Sequence, residues 1–210
     1  MLLTRRAAMG GLAALAIVRP GFAQPCCGPI TPAGQRIVQL LDESDVERRW
    51  LAGDRIAWET GLPLPTAPDA PPGHTHCSAY VAAMAERLGV YILRPPEHGQ
   101  VLLANAQGNW LAAGKGGWRP LAGYAAAQAA ANQGQFVVAS FINPNPRKAG
   151  HIAIIRPSEK DAAALAADGP AEAQAGQHNY SHTDLRVGFR YHRGAFDQGL
   201  IRCYAHDVPA

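Results

Sequence analysis

The N-terminal part of the chain lacks an apolar segment long enough to cross a membrane. Residues 7–18 are apolar but number only twelve and include two glycines, whereas a spanning helix needs about 20 apolar residues. The pair Arg5-Arg6 precedes this stretch, and a small-residue site ending at Ala23 follows it. This layout is typical of a secretory signal peptide, here of the twin-arginine kind. We therefore expect residues 1–23 to be removed and residues 24–210 to be periplasmic or secreted, with no stable membrane anchor.

The expected mature chain also lacks an excess of positive charge. The full sequence has 19 Lys and Arg against 16 Asp and Glu, and three of the arginines lie in residues 1–23. Removal of those residues leaves 16 groups of each sign. A basic surface is the electrostatic mark of a nucleic-acid-binding protein, so we do not expect nucleic acid as a partner.

Internal repeats, long linkers and a phosphate-binding loop are missing as well. The glycine-rich segment AAGKGGWRP (112–120) has glycine after its lysine, where a phosphate loop needs serine or threonine. We therefore expect no cofactor. A length of this order is typical of one domain with its own core, and we expect residues 24–210 to form a single domain.

Cysteine is sparse, with only Cys26, Cys27, Cys77 and Cys203. Exported proteins usually pair their cysteines, so an even number favours two disulfides. A bridge from the N-terminal pair to Cys203 is also compatible with the sequence. Cys77 has to remain free if it is a nucleophile.

The order of hydrophobic patterns predicts an α+β fold. Helical spacing occurs over residues 35–51, in the segment from Cys77 to Gly89, and in the alanine-rich stretch 121–135. Strand-like runs follow at 135–142, 151–157, 172–180 and 199–206. Helices first and strands later are typical of a domain in which helices pack on an antiparallel sheet.

Two residues in this pattern suggest nucleophilic catalysis. Cys77 stands at the start of a predicted helix, and His151 opens the apolar strand HIAII. A helix N-terminus and a nearby histidine both favour the thiolate, and the imidazole can take the thiol proton and pass it to a leaving amine. A third polar group is needed to orient the imidazole. The next predicted strand offers Gln174, Gln177 and Asn179 for this task.

These pieces resemble the papain-like cysteine amidases and peptidases of cell-wall turnover, the CHAP and NlpC-type groups. The similar segments are HCSAYVAAMAERLG, GHIAIIRP and QHNY. The resemblance implies a papain-like fold with a nucleophile helix packed on an antiparallel sheet. It also implies hydrolysis of amide bonds in peptidoglycan peptides by Cys77, His151 and Asn179, with no metal. Gln177 stands where CHAP amidases usually have glutamate, and Gln177, Gln174 and His76 are candidates for supporting polar groups.

Two other interpretations are compatible with the same residues. A protein on the same fold that binds the cell wall without turnover is one, and Gln177 in place of glutamate favours it. A metal-binding protein is the other, because His74, His76 and Cys77 bring two imidazoles and a thiol together.

Overall fold

The computed structural model describes residues 25–65 and 74–209, so the expected signal peptide lies outside the described residues. The observed architecture is α+β, with six α-helices and one antiparallel six-stranded sheet in the described part. The helices are α1 (Pro32–Glu43), α2 (Cys77–Arg87), α3 (Leu103–Ala112), α4 (Tyr124–Asn132), α5 (Ala162–Asp168) and α6 (Leu185–Gly188). The strands are β1 (Arg119–Pro120), β2 (Phe136–Phe141), β3 (His151–Ile155), β4 (Ala171–Ala175), β5 (Asn179–Asp184) and β6 (Arg202–His206).

The sheet is built around two fully buried central strands, β2 and β3. The strand order is β1-β6-β2-β3-β4-β5, and Val138 of β2 pairs with Ile154 of β3. Ile154 pairs in turn with Ala173 of β4. The runs FVVASF and HIAII contain no solvent-facing position, which explains why they are apolar and do not alternate with polar residues.

The first face of the sheet is the one that α2 covers. Because side chains alternate along a strand, Ile152 and Ile154 point to this face, together with Ala173 and Ala175 of β4. They pack against α2, which is buried along most of its length. The small alanines of α2 let the helix lie close to the sheet, and this contact sets the position of its first residue, Cys77.

The second face of the sheet is covered by α4 and by α6 with the turn that follows it. Ala127 and Ala131 of α4 pack here against Val137 and Ala139 of β2. Phe189, directly after α6, belongs to the same cluster. His151 lies two residues before Ala153 on β3, so its side chain points to the same face of the sheet as that of Ala153.

One prediction about local structure was wrong, and the cysteine pairing that the sequence left open is defined by the structure. The stretch 172–180 is a hairpin made of β4 and β5, joined by a turn at residues 176–178, and not one strand. Cys26 is bonded to its neighbour Cys27, whereas Cys203 is a free buried cysteine, as is Cys77. Through the described residues, no helix is long and apolar enough to cross a membrane.

Candidate active site

Cys77 is the first residue of α2, and its side chain lies against the beginning of β3. Only 5% of the residue is exposed. Burial raises the pKa of the Cys77 thiol, and the backbone N–H groups of Ile152, Ser78 and Cys77 itself act in the opposite direction. These N–H groups stabilise negative charge, either on the sulfur itself or on an oxygen of a bound molecule that accepts hydrogen bonds from them. The resting group is nevertheless a protonated thiol, because burial has the larger effect.

His151 is hydrogen-bonded to Gln174 of β4. The imidazole Nε2 lies 2.5 Å from Gln174 Oε1, and Gln174 Nε2 donates to the carbonyl oxygen of His178 at 3.1 Å. The amide nitrogen can only donate, so the His178 carbonyl fixes the amide with its oxygen toward the imidazole. Nε2 therefore carries the ring proton, and Nδ1 is left with a free lone pair. This is the tautomer that a general base needs.

The His151 ring is enclosed by aromatic neighbours. Phe189 meets it edge-on with 4.6 Å between ring centroids, and His192 stacks on it at 5.2 Å. Burial lowers the pKa of His151 to about 4, with a further contribution from the nearby His192, while the hydrogen bond to Gln174 acts to raise it. The imidazole is therefore neutral at neutral pH, so a preformed thiolate–imidazolium pair is not the resting state.

Cys77 and His151 line two adjoining clefts. The larger cleft, of about 640 Å³, contains Cys77, and the smaller one, of about 460 Å³, contains His151 and Gln174. Gly150 lines both clefts, because it immediately precedes His151, the first residue of β3. Within residues 25–65 and 74–209, no hydrogen bond joins the Cys77 thiol to the His151 ring.

Gly150 is required at the junction of the two clefts for a steric reason. A Cβ at this position would lie 2.2 Å from the backbone oxygen of Phe141 and 2.4 Å from Asn105 Oδ1. Any side chain would therefore push β3 away from β2 at the point where His151 begins. The sequence pattern Gly-His at this strand start has a structural cause in addition to any catalytic one.

Asn179 does not orient His151, and this prediction is corrected. Asn179 Nδ2 donates to the backbone oxygens of Val46, Arg49 and Trp50 at 2.7, 2.7 and 3.2 Å, and its Oδ1 accepts from Gly176 N–H at 3.0 Å. The side chain therefore ties the hairpin to the turn that follows α1. Its place beside His151 is taken by Gln174.

The remaining supporting candidates lie in different surroundings. Gln177 is exposed in the hairpin turn and lines both clefts. His76 is buried, and its Nε2 contacts the backbone oxygen of Asp54 at 2.9 Å. Burial lowers the pKa of His76. His76 thus holds the loop beside the Cys77 cleft, while Gln177 belongs to the lining that the two clefts share.

The segment from His74 to Cys77 supplies no metal cluster on its own. Among the residues that the structure describes, no group of three or more His, Cys, Asp or Glu side chains is arranged to hold a metal ion. His76 already contacts a carbonyl oxygen, and the Cys77 thiol is directed at backbone N–H groups.

Glu172 is a feature of the site region that sequence reasoning missed. It is 0% exposed, lies two residues before Gln174 on β4, and neither carboxyl oxygen has a hydrogen-bond partner in the described residues. Burial raises the pKa of Glu172 well above its ordinary value, and Asp184 adds to the shift. A Cβ at Gly188 would lie 1.9 Å from Glu172 Oε1 and 2.9 Å from Gln174 Oε1. A glutamate between two alanines in the strand segment AEAQA was the available signal.

Comparison with known proteins leaves the site to be interpreted from its own chemistry. No known family profile matches the chain, and no curated protein matches it.

Proposed function

We propose that the chain is an exported cysteine amidase or endopeptidase that hydrolyses amide bonds of peptidoglycan peptides. The observation that carries this proposal is a free cysteine at a helix N-terminus whose thiol meets the backbone N–H of Ile152, the residue directly after a histidine whose tautomer is set by Gln174. The order of a cysteine on a helix, then a histidine and an amide on successive strands, resembles that of papain-like cell-wall hydrolases. The signal-like sequence of residues 1–23 supports a periplasmic or secreted location.

The proposed reaction uses Cys77 as nucleophile and His151 as proton carrier. The thiol turns from the Ile152 N–H toward the substrate, its proton moves to His151 Nδ1, and the sulfur bonds to the amide carbonyl carbon. His151 then gives this proton to the leaving amine as the C–N bond breaks. A water molecule attacks the thioester, again with its proton taken by His151, and the acid product leaves with the thiol restored.

The polar groups around the nucleophile have defined roles in this mechanism. The backbone N–H groups of Cys77 and Ser78 at the start of α2 stabilise the oxyanion of the tetrahedral intermediate. Gln174 holds the imidazole with Nε2–H toward its amide oxygen and so keeps Nδ1 ready to accept a proton. An amide cannot change its charge, so it adds no titration of its own.

A comparison of two cysteine variants tests the proposal. Purified full-length chain, Cys77→Ala and Cys203→Ala are incubated with muropeptides of several wall types, and the products are identified by mass spectrometry. Cys203 is the matched control, because it is also free and buried but packs on the second face of the sheet. We expect cleavage by the unaltered chain and by Cys203→Ala, and none by Cys77→Ala. Equal inactivity of all three proteins on every wall type would refute the proposal.

A protein that binds the cell wall without turnover is the second candidate. It is favoured by one observation: the resting Cys77 thiol is buried and bonded to backbone groups rather than to His151. Iodoacetamide labelling of the native chain at neutral pH separates the two candidates. An active nucleophile is labelled at Cys77 in preference to Cys203, whose pKa burial raises to about 12. Equal, slow labelling of both thiols would favour the binding protein.

A further inference from the structure

The cleft beside Cys77 has an unbalanced charge. Arg147 lines it, whereas no aspartate or glutamate among the described residues does so. The rest of its lining is neutral at neutral pH or is the imidazole of His74. Across the described part of the chain, the Arg147 guanidinium has neither an ion pair nor a hydrogen bond. An unpaired cation on a cleft that no acidic side chain lines creates a local preference for negative charge.

The backbone that carries Arg147 is held in place on both sides. Asn145 Oδ1 accepts from Arg147 N–H at 2.9 Å, and Asn143 Nδ2 donates to the Ala149 oxygen at 3.0 Å. Asn105 of α3 donates to the Lys148 oxygen at 2.9 Å and accepts from Asn143 N–H at 3.0 Å. The loop is thereby tied to α3, which limits the entropy lost when the arginine binds a ligand.

We propose that Arg147 binds a carboxylate of the substrate close to the amide bond that Cys77 attacks, so that the preferred substrates are acidic peptides. A guanidinium pairs with a carboxylate through two parallel hydrogen bonds, which fixes orientation as well as affinity. Two sources of this group share the same chemistry, a side-chain carboxylate and a C-terminal carboxylate. The inference rests on the proposed function, because it names the substrate class of the same cleft.

The neighbouring Lys148 is a matched control. It carries the same charge and is exposed on the same loop, but it does not line the cleft. If the general charge of the loop mattered, the two residues would be equivalent. If the position of the guanidinium matters, only substitution of Arg147 reduces the preference for a substrate carboxylate. Arg147→Lys then retains that preference only in part.

The test compares three synthetic peptides that share one scissile bond: one with a free side-chain carboxylate, one with that group amidated, and one with its C-terminus amidated. For the unaltered chain we expect kcat/KM to fall about 10- to 100-fold when the recognised carboxylate is amidated, the usual worth of a hydrogen bond to a charged group. Arg147→Ala should bring this ratio close to one, mainly through KM, whereas Lys148→Ala should leave it unchanged. Whichever amidation reduces cleavage identifies the source.

The outcomes separate the subsite from the hydrolytic activity. Two results would overturn the Arg147 subsite while leaving the hydrolase intact. One is equal cleavage of all three peptides by the unaltered chain. The other is a fall in the kcat/KM ratio of Lys148→Ala as large as that of Arg147→Ala. If no peptide is cleaved, binding of the same peptides to Cys77→Ala is measured by calorimetry, with and without Arg147→Ala. Carboxylate-dependent binding that needs Arg147 supports the subsite without the hydrolase, and binding without that dependence overturns it.

Discussion

The two faces of the sheet differ in how β3 and β4 fill them. On the first face, Ile152, Ile154, Ala173 and Ala175 form an apolar floor for α2. On the second face, alternate positions of these strands hold His151, Gln174 and Glu172, all buried. A buried polar group has to be paired or it costs free energy of folding. The first face therefore positions α2, which begins at Cys77, and the second carries polar groups that a purely structural sheet would avoid.

The largest expected effect is on catalysis, from loss of the imidazole. His151→Ala should lower kcat about 10²- to 10⁴-fold, the usual contribution of a general acid–base group, while the apolar packing of the first face keeps the fold. Peptide hydrolysis and the thermal midpoint are measured on the same sample. The exposed His182 on β5 is the control, and His182→Ala should retain full activity. A His151→Ala variant that is folded and fully active would exclude His151 from the reaction.

A second comparison separates the two amides of the β4–β5 hairpin. Gln174→Ala leaves His151 Nε2–H unpaired. Asn179→Ala removes the donor to the Arg49 and Trp50 backbone oxygens of the turn after α1. Each loss should cost about 1–3 kcal/mol. Both variants should therefore have a lower free energy of unfolding. Gln174→Ala should in addition lower kcat about 10- to 100-fold, because the imidazole loses the group that sets its tautomer, whereas Asn179→Ala should retain kcat. Denaturant unfolding and kinetics on both variants check this, and the opposite assignment would place Asn179 in the site.

A third prediction concerns the unpaired carboxyl on the second face. Because burial raises the pKa of Glu172 in the fold, the folded state binds this proton more strongly than the unfolded one. The stabilisation from the protonated Glu172 carboxyl is therefore complete below the pKa of the unfolded chain, about 4.5, and is lost as the pH rises. The loss is about 1.4 kcal/mol per pH unit until the pKa of the folded state is reached. Glu172→Gln removes this dependence. Unfolding free energies of the two proteins should converge near pH 4 and diverge above it, and parallel curves would contradict the prediction.

The smallest expected effect is a displaced pH profile. Burial lowers the pKa of His151 to about 4, and the base works only when it is neutral, so the acid limb of kcat/KM should fall near pH 4 rather than near the usual 6.5. A rate profile from pH 3 to 8, with buffer and ionic strength held constant, measures it. Since burial is the main cause, opening the pocket with Phe189→Ala should move the limb upward. A limb near 6.5 in the unaltered chain would mean that the imidazole is hydrated.

Much of the local structure could be predicted from the sequence. The helix that begins at Cys77, the strand that begins at His151 and the α+β class follow from hydrophobic spacing and from Gly89, because these are short-range effects. The signal-like layout of residues 1–23, the proposed chemistry of Cys77 and the absence of a cofactor stay predictions. The hairpin between β4 and β5 was missed, because residues 172–180 were interpreted as one strand although Gly176 interrupts them.

What the sequence by itself determined is which polar groups are available and which elements bear them: a thiol at a helix start, an imidazole at a strand start and several amides further along. Tertiary structure alone decided which amide meets the imidazole. Pairing of Ile154 with Ala173 brings β4 beside β3 and puts Gln174 next to His151, while the turn after α1 captures Asn179 from more than 100 residues away in the sequence. The physical reason is that strand register and long-range hydrogen bonds depend on the packed fold, and local spacing contains no information about them.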